Sequence, residues 1–232
     1  MKIAISTAPF GVYDDSPLKA LDALGAEVIY NPVGRRLTEA EVYDFIGDCD
    51  AVIAGTEKIS ADAIENSKNL KIISRVGIGL DGVDLLAARK NGVEIAYTPE
   101  APAPAVAELT IGLMLASFRS IHHANAQMQS SIWTRHFGRR IGCSIIGVWG
   151  LGRVGTRVVQ LLRAFHGVQI LVFDVDSTKY SKIEGFAEVK VVESVEELFI
   201  QSDCVTLHIP LTSSTSGAVD KMLLRKMKKM HF

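Results

Sequence analysis

The stretch Ser144-Ile145-Ile146-Gly147-Val148-Trp149-Gly150-Leu151-Gly152-Arg153-Val154-Gly155 carries the fold of this chain in its pattern. An apolar run of strand character ends in G-x-G-x-x-G, and Val158, Val159, Leu161, Leu162 and Phe165 follow at helical spacing. In such a strand-to-helix turn Gly150 permits the tight bend, Gly152 lets the backbone approach a pyrophosphate, and Gly155 lets helix and strand pack closely. The free N–H groups and partial positive charge at the helix N-terminus suit phosphate. The next apolar run, Gln169-Ile170-Leu171-Val172-Phe173, ends in Asp174, nineteen residues after Gly155. There a carboxylate accepts hydrogen bonds from adenosine ribose hydroxyls. A glycine turn without a dinucleotide would leave that acid unexplained. Asp174 and Asp176 repel a 2′-phosphate and no arginine stands near them, so NAD is expected in preference to NADP.

Around this stretch a βα series is expected: strand 143–148, helix 153–166, strands 169–174 and 187–192, helix 194–201, strand 204–208 and helix 219–229. Upstream, residues 122–141, with His122, His123, Trp133, His136 and Arg139-Arg140, read as polar and irregular. A long apolar-rich helix is expected from about Val106 to Ile121, and Pro99, Pro102 and Pro104 with their alanines read as a hinge. The first hundred residues place apolar runs at 2–6, 27–30, 51–54, 71–74 and 93–97. Helix-like stretches fall between them at 17–24, 38–47, 60–68 and 84–91, the last three opening with the caps Thr38, Ser60 and Asp84. Runs without strict alternation suit a parallel sheet covered on both faces, so this half is a small doubly wound α/β unit. The expected domains are 1–100 and 101–232.

Composition narrows the function. Of 232 residues 48% are hydrophobic and 22% charged, and 25 basic against 26 acidic side chains leave a formal charge of −1. That balance argues against a general nucleic-acid or anionic-membrane binder. Cys49, Cys143 and Cys204 are odd in number and far apart, which reads as buried thiols in a reducing compartment. The N-terminus has the character of a strand and not of a secretion signal, and no run of 18 apolar residues occurs. A cytoplasmic address is therefore expected. The basic end, Lys221, Arg225, Lys226, Lys228 and Lys229, reads as a solvated helix face.

A second candidate site is Arg75-Val76-Gly77-Ile78-Gly79-Leu80-Asp81-Gly82-Val83-Asp84. It leaves the end of the fourth strand, where doubly wound sheets place their ligands, and its glycines expose backbone N–H groups able to hold a carboxylate. A plain strand-to-helix loop capped by Asp84 is the competing reading.

These residues together resemble a family. The Arg75–Asp84 segment, Thr98-Pro99-Glu100-Ala101, Ala105-Val106-Ala107-Glu108, Trp133, Phe137-Gly138-Arg139, the Gly150–Gly155 fingerprint and Val205-Thr206-Leu207-His208-Ile209-Pro210-Leu211-Thr212 are similar, in order and spacing, to the D-2-hydroxyacid dehydrogenases. Asn31–Glu39 and Ala54-Gly55-Thr56-Glu57 look most like the phosphoglycerate-dehydrogenase-like branch. The resemblance implies a flavodoxin-like substrate domain followed by a Rossmann NAD domain, and hydride transfer between NAD and a 2-hydroxy acid. It implies that the Val76 and Gly77 amides hold the substrate carboxylate and that Ile78 lies beside the nicotinamide. Arg153 and Val154 would meet the pyrophosphate and Asp174 the ribose, with His208, Ile209 and Pro210 lining the cofactor wall. His208 is expected as a lining residue more than as a general base. The resemblance also implies a homodimer, paired through the helix at 106–121, which carries more large apolar residues than one buried face needs.

The same resemblance implies a later segment supplying an Arg, a Glu and a His for carboxylate clamping and proton transfer. No counterpart precedes Phe232, and His231, which follows a basic helix end, is not a substitute. The Rossmann sheet is therefore expected to stop after its fourth strand, with 204–208 as an open apolar edge. Turnover is expected to be impaired. A non-catalytic, regulatory NAD-binding module and a degenerate reading frame are the competing readings.

Overall fold

The computed structural model describes residues 1–229, so His231 lies outside the described residues. Two compact units divide between Pro102 and Ala103.

In the first unit β1 (Lys2–Ile5), β2 (Glu27–Tyr30), β3 (Ala51–Ala54), β4 (Ile72–Arg75) and β5 (Glu94–Tyr97) form a parallel sheet in the order β2-β1-β3-β4-β5. This is the flavodoxin-like order, whose switch point lies between β1 and β3. Helices α1 (Ser16–Ala23), α2 (Glu39–Ile46), α3 (Ala61–Asn66) and α4 (Leu85–Lys90) make the crossovers. Their starts follow from side-chain chemistry. Thr38 accepts the Glu41 amide at 3.3 Å while the Glu41 carboxylate accepts the Thr38 amide at 2.8 Å, a complete capping box. Ser60 and Asp84 cap the next two helices through the Ala63 and Ala87 amides. Val42, Ile46, Val52, Ile59, Ile64 and Ile73 form the core between sheet and helices. At the switch point the buried Glu57 carboxylate accepts the Ser6 hydroxyl and, at 2.6 Å, the Gly55 amide, tying together the segments that follow β1 and β3.

The second unit holds α5 (Ala103–Phe118), α6 (Ile121–Gln129), β6 (Ile145–Trp149), α7 (Arg153–Leu162), β7 (Gln169–Phe173), β8 (Val189–Val191), α8 (Val195–Gln201), β9 (Cys204–Leu207) and α9 (Lys221–Arg225). Its sheet is parallel in the order β8-β7-β6-β9, the first four strands of a Rossmann sheet. Val158, Val159 and Leu162 of α7 pack on Ile146, Val148, Ile170 and Val172. The opposite face packs Trp149 and Leu171 against Leu198 and Phe199. Among the described residues β9 pairs with β6 alone, so it forms the sheet edge expected for 204–208.

Several expectations shift. Helix α5 starts at Ala103, with Pro104 in its first turn, where a missing N–H costs nothing. It stops at Phe118 because Ser120 takes a left-handed φ of 50°, and α6 then leads into residues expected to be irregular. That helix buries no residue, so it leaves no apolar periodicity to read. Cys143 is exposed, not buried, because a 3-10 turn at Ile141–Cys143 precedes the strand. Cys49 is buried and Cys204 half-buried. A second 3-10 turn, Ser177–Ile183, follows Asp174 without any warning in the apolar pattern. Among the described residues no single helix is long and apolar enough to cross a membrane, and no group of three or more His, Cys, Asp or Glu could hold a metal ion.

Candidate functional site

The glycine loop between β6 and α7 is built by close backbone contacts. Gly150 has φ +101°, a conformation L side chains rarely adopt, and a β-carbon there would stand 2.7 Å from the His208 carbonyl oxygen. A β-carbon on Gly155 would run into the Gly150 carbonyl. Gly152 differs: nothing lies within 4 Å of the place its β-carbon would take, so open space stands over the first turn of α7. Two glycines thus serve the packing of the loop, and the third leaves room at a helix N-terminus whose free N–H groups suit a pyrophosphate. The arrangement fits a dinucleotide. Arg153, exposed, and Val154, half-buried, open the helix.

Asp174 closes the other side of the loop. Its carboxylate is only 7% exposed and accepts the Leu151 amide at 2.7 Å and the Asp176 amide at 2.9 Å. The Lys179 ammonium bridges both oxygens at 3.0 and 3.2 Å. Burial alone would raise the carboxyl pKa, but the two amides and the ammonium outweigh it and hold the group below its ordinary value. Asp174 is therefore an anion, set against the loop that the fingerprint motif builds. The sequence reading missed Lys179. The only trace of it there is a lysine five residues after the acid, in a polar stretch with no apolar period.

His208, Ile209 and Pro210 follow β9. The His208 amide donates to the Trp149 carbonyl at 2.8 Å, and its Nε2 shares a 2.9 Å hydrogen bond with the Thr206 hydroxyl. Burial pushes the His208 pKa down, so its ring is neutral near pH 7. A ring so placed serves as part of the loop's packing. Ile209 packs with Trp149 in the same core, and exposed Pro210 accepts the Thr215 hydroxyl at 2.6 Å.

In the first unit the loop after β4 holds two of its amides within the chain. The Val76 amide donates to the Ala54 carbonyl at 2.8 Å, extending the β3–β4 ladder one residue past the strand. The Gly77 amide donates to the Thr98 hydroxyl at 2.9 Å. Both groups expected to grip a carboxylate are thus already satisfied within the chain. The amides of Ile78 and Gly79, two residues further on, have no acceptor among the described residues. Ile78 itself is half-buried in this loop. Asp84 caps α4, as the competing reading of the segment required.

Residues 111–232 match the sequence model described as D-isomer specific 2-hydroxyacid dehydrogenase, NAD binding domain. The chain is 36% identical over 219 residues to a D-3-phosphoglycerate dehydrogenase of Methanocaldococcus jannaschii, covering 93% of this chain and 40% of that protein. It is 37% identical over 195 residues to a hydroxypyruvate reductase of Thermotoga maritima, covering 83% of this chain and 61% of that protein. This chain thus spans 40% and 61% of the length of these two relatives, less than two thirds of either. Among solved structures, the NAD+-bound 3-phosphoglycerate dehydrogenase of Entamoeba histolytica aligns with a TM-score of 0.74 at 28% identity, covering 98% of this chain and 68% of that one. The apo D-lactate dehydrogenase of Escherichia coli aligns with a TM-score of 0.76 at 28% identity, covering 98% and 71%. The open helix terminus at Gly152 and the anion at Asp174 are what an NAD binding domain requires, and by that match this protein belongs to the D-isomer specific 2-hydroxyacid dehydrogenase family.

Proposed function

We propose that this chain contributes the NAD-holding and carboxylate-anchoring parts of an oxidoreductase that moves a hydride between NAD and a 2-hydroxy acid of phosphoglycerate type. The observation that supports this reading is the seating of the Asp174 carboxylate on the Leu151 amide at 2.7 Å, a fixed anion against the glycine loop, where a dinucleotide's ribose hydroxyls would need an acceptor. Bound nicotinamide supplies the hydride acceptor. Gly150, Gly152, Arg153, Val154 and Gly155 hold the pyrophosphate at the N-terminus of α7. Asp174 receives the ribose hydroxyls, and His208, Ile209 and Pro210 wall the adenosine. In the first unit the backbone amides of the loop after β4 anchor the substrate carboxylate, from Val76 and Gly77, as the family resemblance implies, to Ile78 and Gly79, which have no acceptor among the described residues. The relatives' names, D-3-phosphoglycerate dehydrogenase, hydroxypyruvate reductase and glyoxylate reductase, support a small 2-hydroxy or 2-oxo acid.

The proposal includes slow turnover by these 232 residues alone. The Arg, Glu and His that the family resemblance assigns to clamping and proton transfer have no counterpart in them, and losing a general base costs about 10²–10⁴-fold. It also includes a homodimer, supported by Leu109 and Leu113, one turn apart on α5 and each 61% exposed. A cytoplasmic address is supported by three free cysteines.

The test is calorimetric titration with NADH, followed by nicotinamide absorbance with D-3-phosphoglycerate plus NAD+ and with hydroxypyruvate or glyoxylate plus NADH. NADH binding with turnover far below one per second is the expected result. Absence of NADH binding at millimolar concentration overturns the reading, and turnover near one per second refutes the impairment. Light scattering at micromolar concentration decides between monomer and dimer.

A further inference from the structure

The cofactor preference read from Asp174 and Asp176 assumed two uncompensated negative charges, and the structure pairs the one at Asp174 with an ammonium. Lys179 bridges the two oxygens of Asp174 at 3.0 and 3.2 Å. Lys182, on the same 3-10 turn, brings its ammonium to 3.5 Å from the Leu151 carbonyl, over the glycine loop itself. The turn is pinned. Ile183 is buried, and the Tyr180 hydroxyl donates to the Asp174 carbonyl at 2.8 Å and accepts the Asp174 amide at 3.2 Å. The lysines are therefore delivered by a fixed turn, and the local sum of Asp174, Asp176, Lys179 and Lys182 is zero.

A ribose seat holding a bare carboxylate rejects a 2′-phosphate by like-charge repulsion. A seat whose carboxylate already carries an ammonium does not reject it to the same degree. The Lys179 side chain is 31% exposed, so its tip has solvent into which to rotate, whereas Asp174 stays fixed by two backbone amides. We propose that Lys179 makes this chain accept NADP(H) as well as NAD(H). The ammonium stays on Asp174 when the ribose carries a 2′-hydroxyl and turns to the phosphate dianion when it carries one, with Lys182 as the second cation. This inference rests on the dinucleotide reading above and deepens it by naming the cofactor class.

The experiment is equilibrium titration of the purified full chain with NADH and with NADPH, each followed by calorimetry and by nicotinamide fluorescence. The NADPH Kd is expected within tenfold of the NADH Kd. In Lys179→Gln the ratio of NADPH to NADH Kd should rise at least tenfold, and Lys179→Arg should restore it. Between 50 and 500 mM salt the wild-type NADPH Kd should rise more steeply than the NADH Kd, a readout that needs no variant. A wild-type ratio above tenfold, a ratio that Lys179→Gln leaves within twofold, or equal salt slopes would overturn the inference while NADH binding stands. Failure to bind either dinucleotide would instead remove the reading beneath it.

Discussion

Gly155 sits against the carbonyl of Gly150 so closely that the first turn of α7 and the bend leaving β6 share one contact, with no room for a side-chain atom. Overpacking of this kind costs about 1–3 kcal/mol. Gly155→Ala should therefore lower the unfolding free energy by that amount in urea titration and weaken NADH binding at the same time. Gly152→Ala meets nothing within 4 Å and adopts an extended backbone that any residue tolerates. Its stability should stay within about 1 kcal/mol of wild type, while NADH affinity falls at least tenfold because the β-carbon enters the open space over the helix. Equal loss of stability in both variants would contradict this separation of roles.

His208 makes stability depend on pH. Burial holds its folded pKa below the ordinary value of 6.5, so as pH falls the unfolded chain takes up the proton first. The stabilisation is complete above about pH 6.5 and is lost as the pH falls through the lower folded value. Urea unfolding at pH 7.5, 6.5 and 5.5 should show a drop for wild type that His208→Gln reduces. Identical pH dependence in the two proteins would mean that the ring does not titrate differently on folding.

The thiols should separate by accessibility. Cys143 is exposed, whereas Cys49 is fully buried and its pKa is pushed up to about 11, first by burial and then by the neighbouring Asp48. Burial likewise raises Cys204. A thiolate is the reacting form, so an aromatic disulfide reagent should label Cys143 first, Cys204 slowly, and Cys49 only after unfolding. Early labelling of Cys49, read by peptide mass, would be incompatible with the packing of the first unit.

Ser202 is fully buried and its hydroxyl has no hydrogen-bond partner among the described residues. An unsatisfied buried polar group costs about 1–3 kcal/mol. Ser202→Ala should therefore match or exceed wild-type stability, the reverse of most core truncations. A loss above about 1 kcal/mol in urea unfolding would show that the hydroxyl is satisfied in solution, since an unmade bond has nothing to lose.

Local pattern was enough for much of this molecule. The glycine spacing at 150, 152 and 155 and the acid at 174 are consequences of backbone geometry within one βαβ unit. Thr38, Ser60 and Asp84 cap helices through amides three residues away, so their role is written in short-range order. Other features depended on partners distant in the chain. Nothing near Val76 reveals that its amide is taken by Ala54, because that bond exists only once β3 and β4 are in register. The exposure of Cys143 followed from where the strand begins, and an apolar run leaves that boundary loose by a residue or two. Lys179 is close to Asp174 in sequence, yet only the 3-10 turn held by Tyr180 and Ile183 folds it back onto the carboxylate. Periodicity determined which elements form, since it records which faces must leave water. Tertiary structure decided which polar groups are already satisfied, and so which remain free to bind.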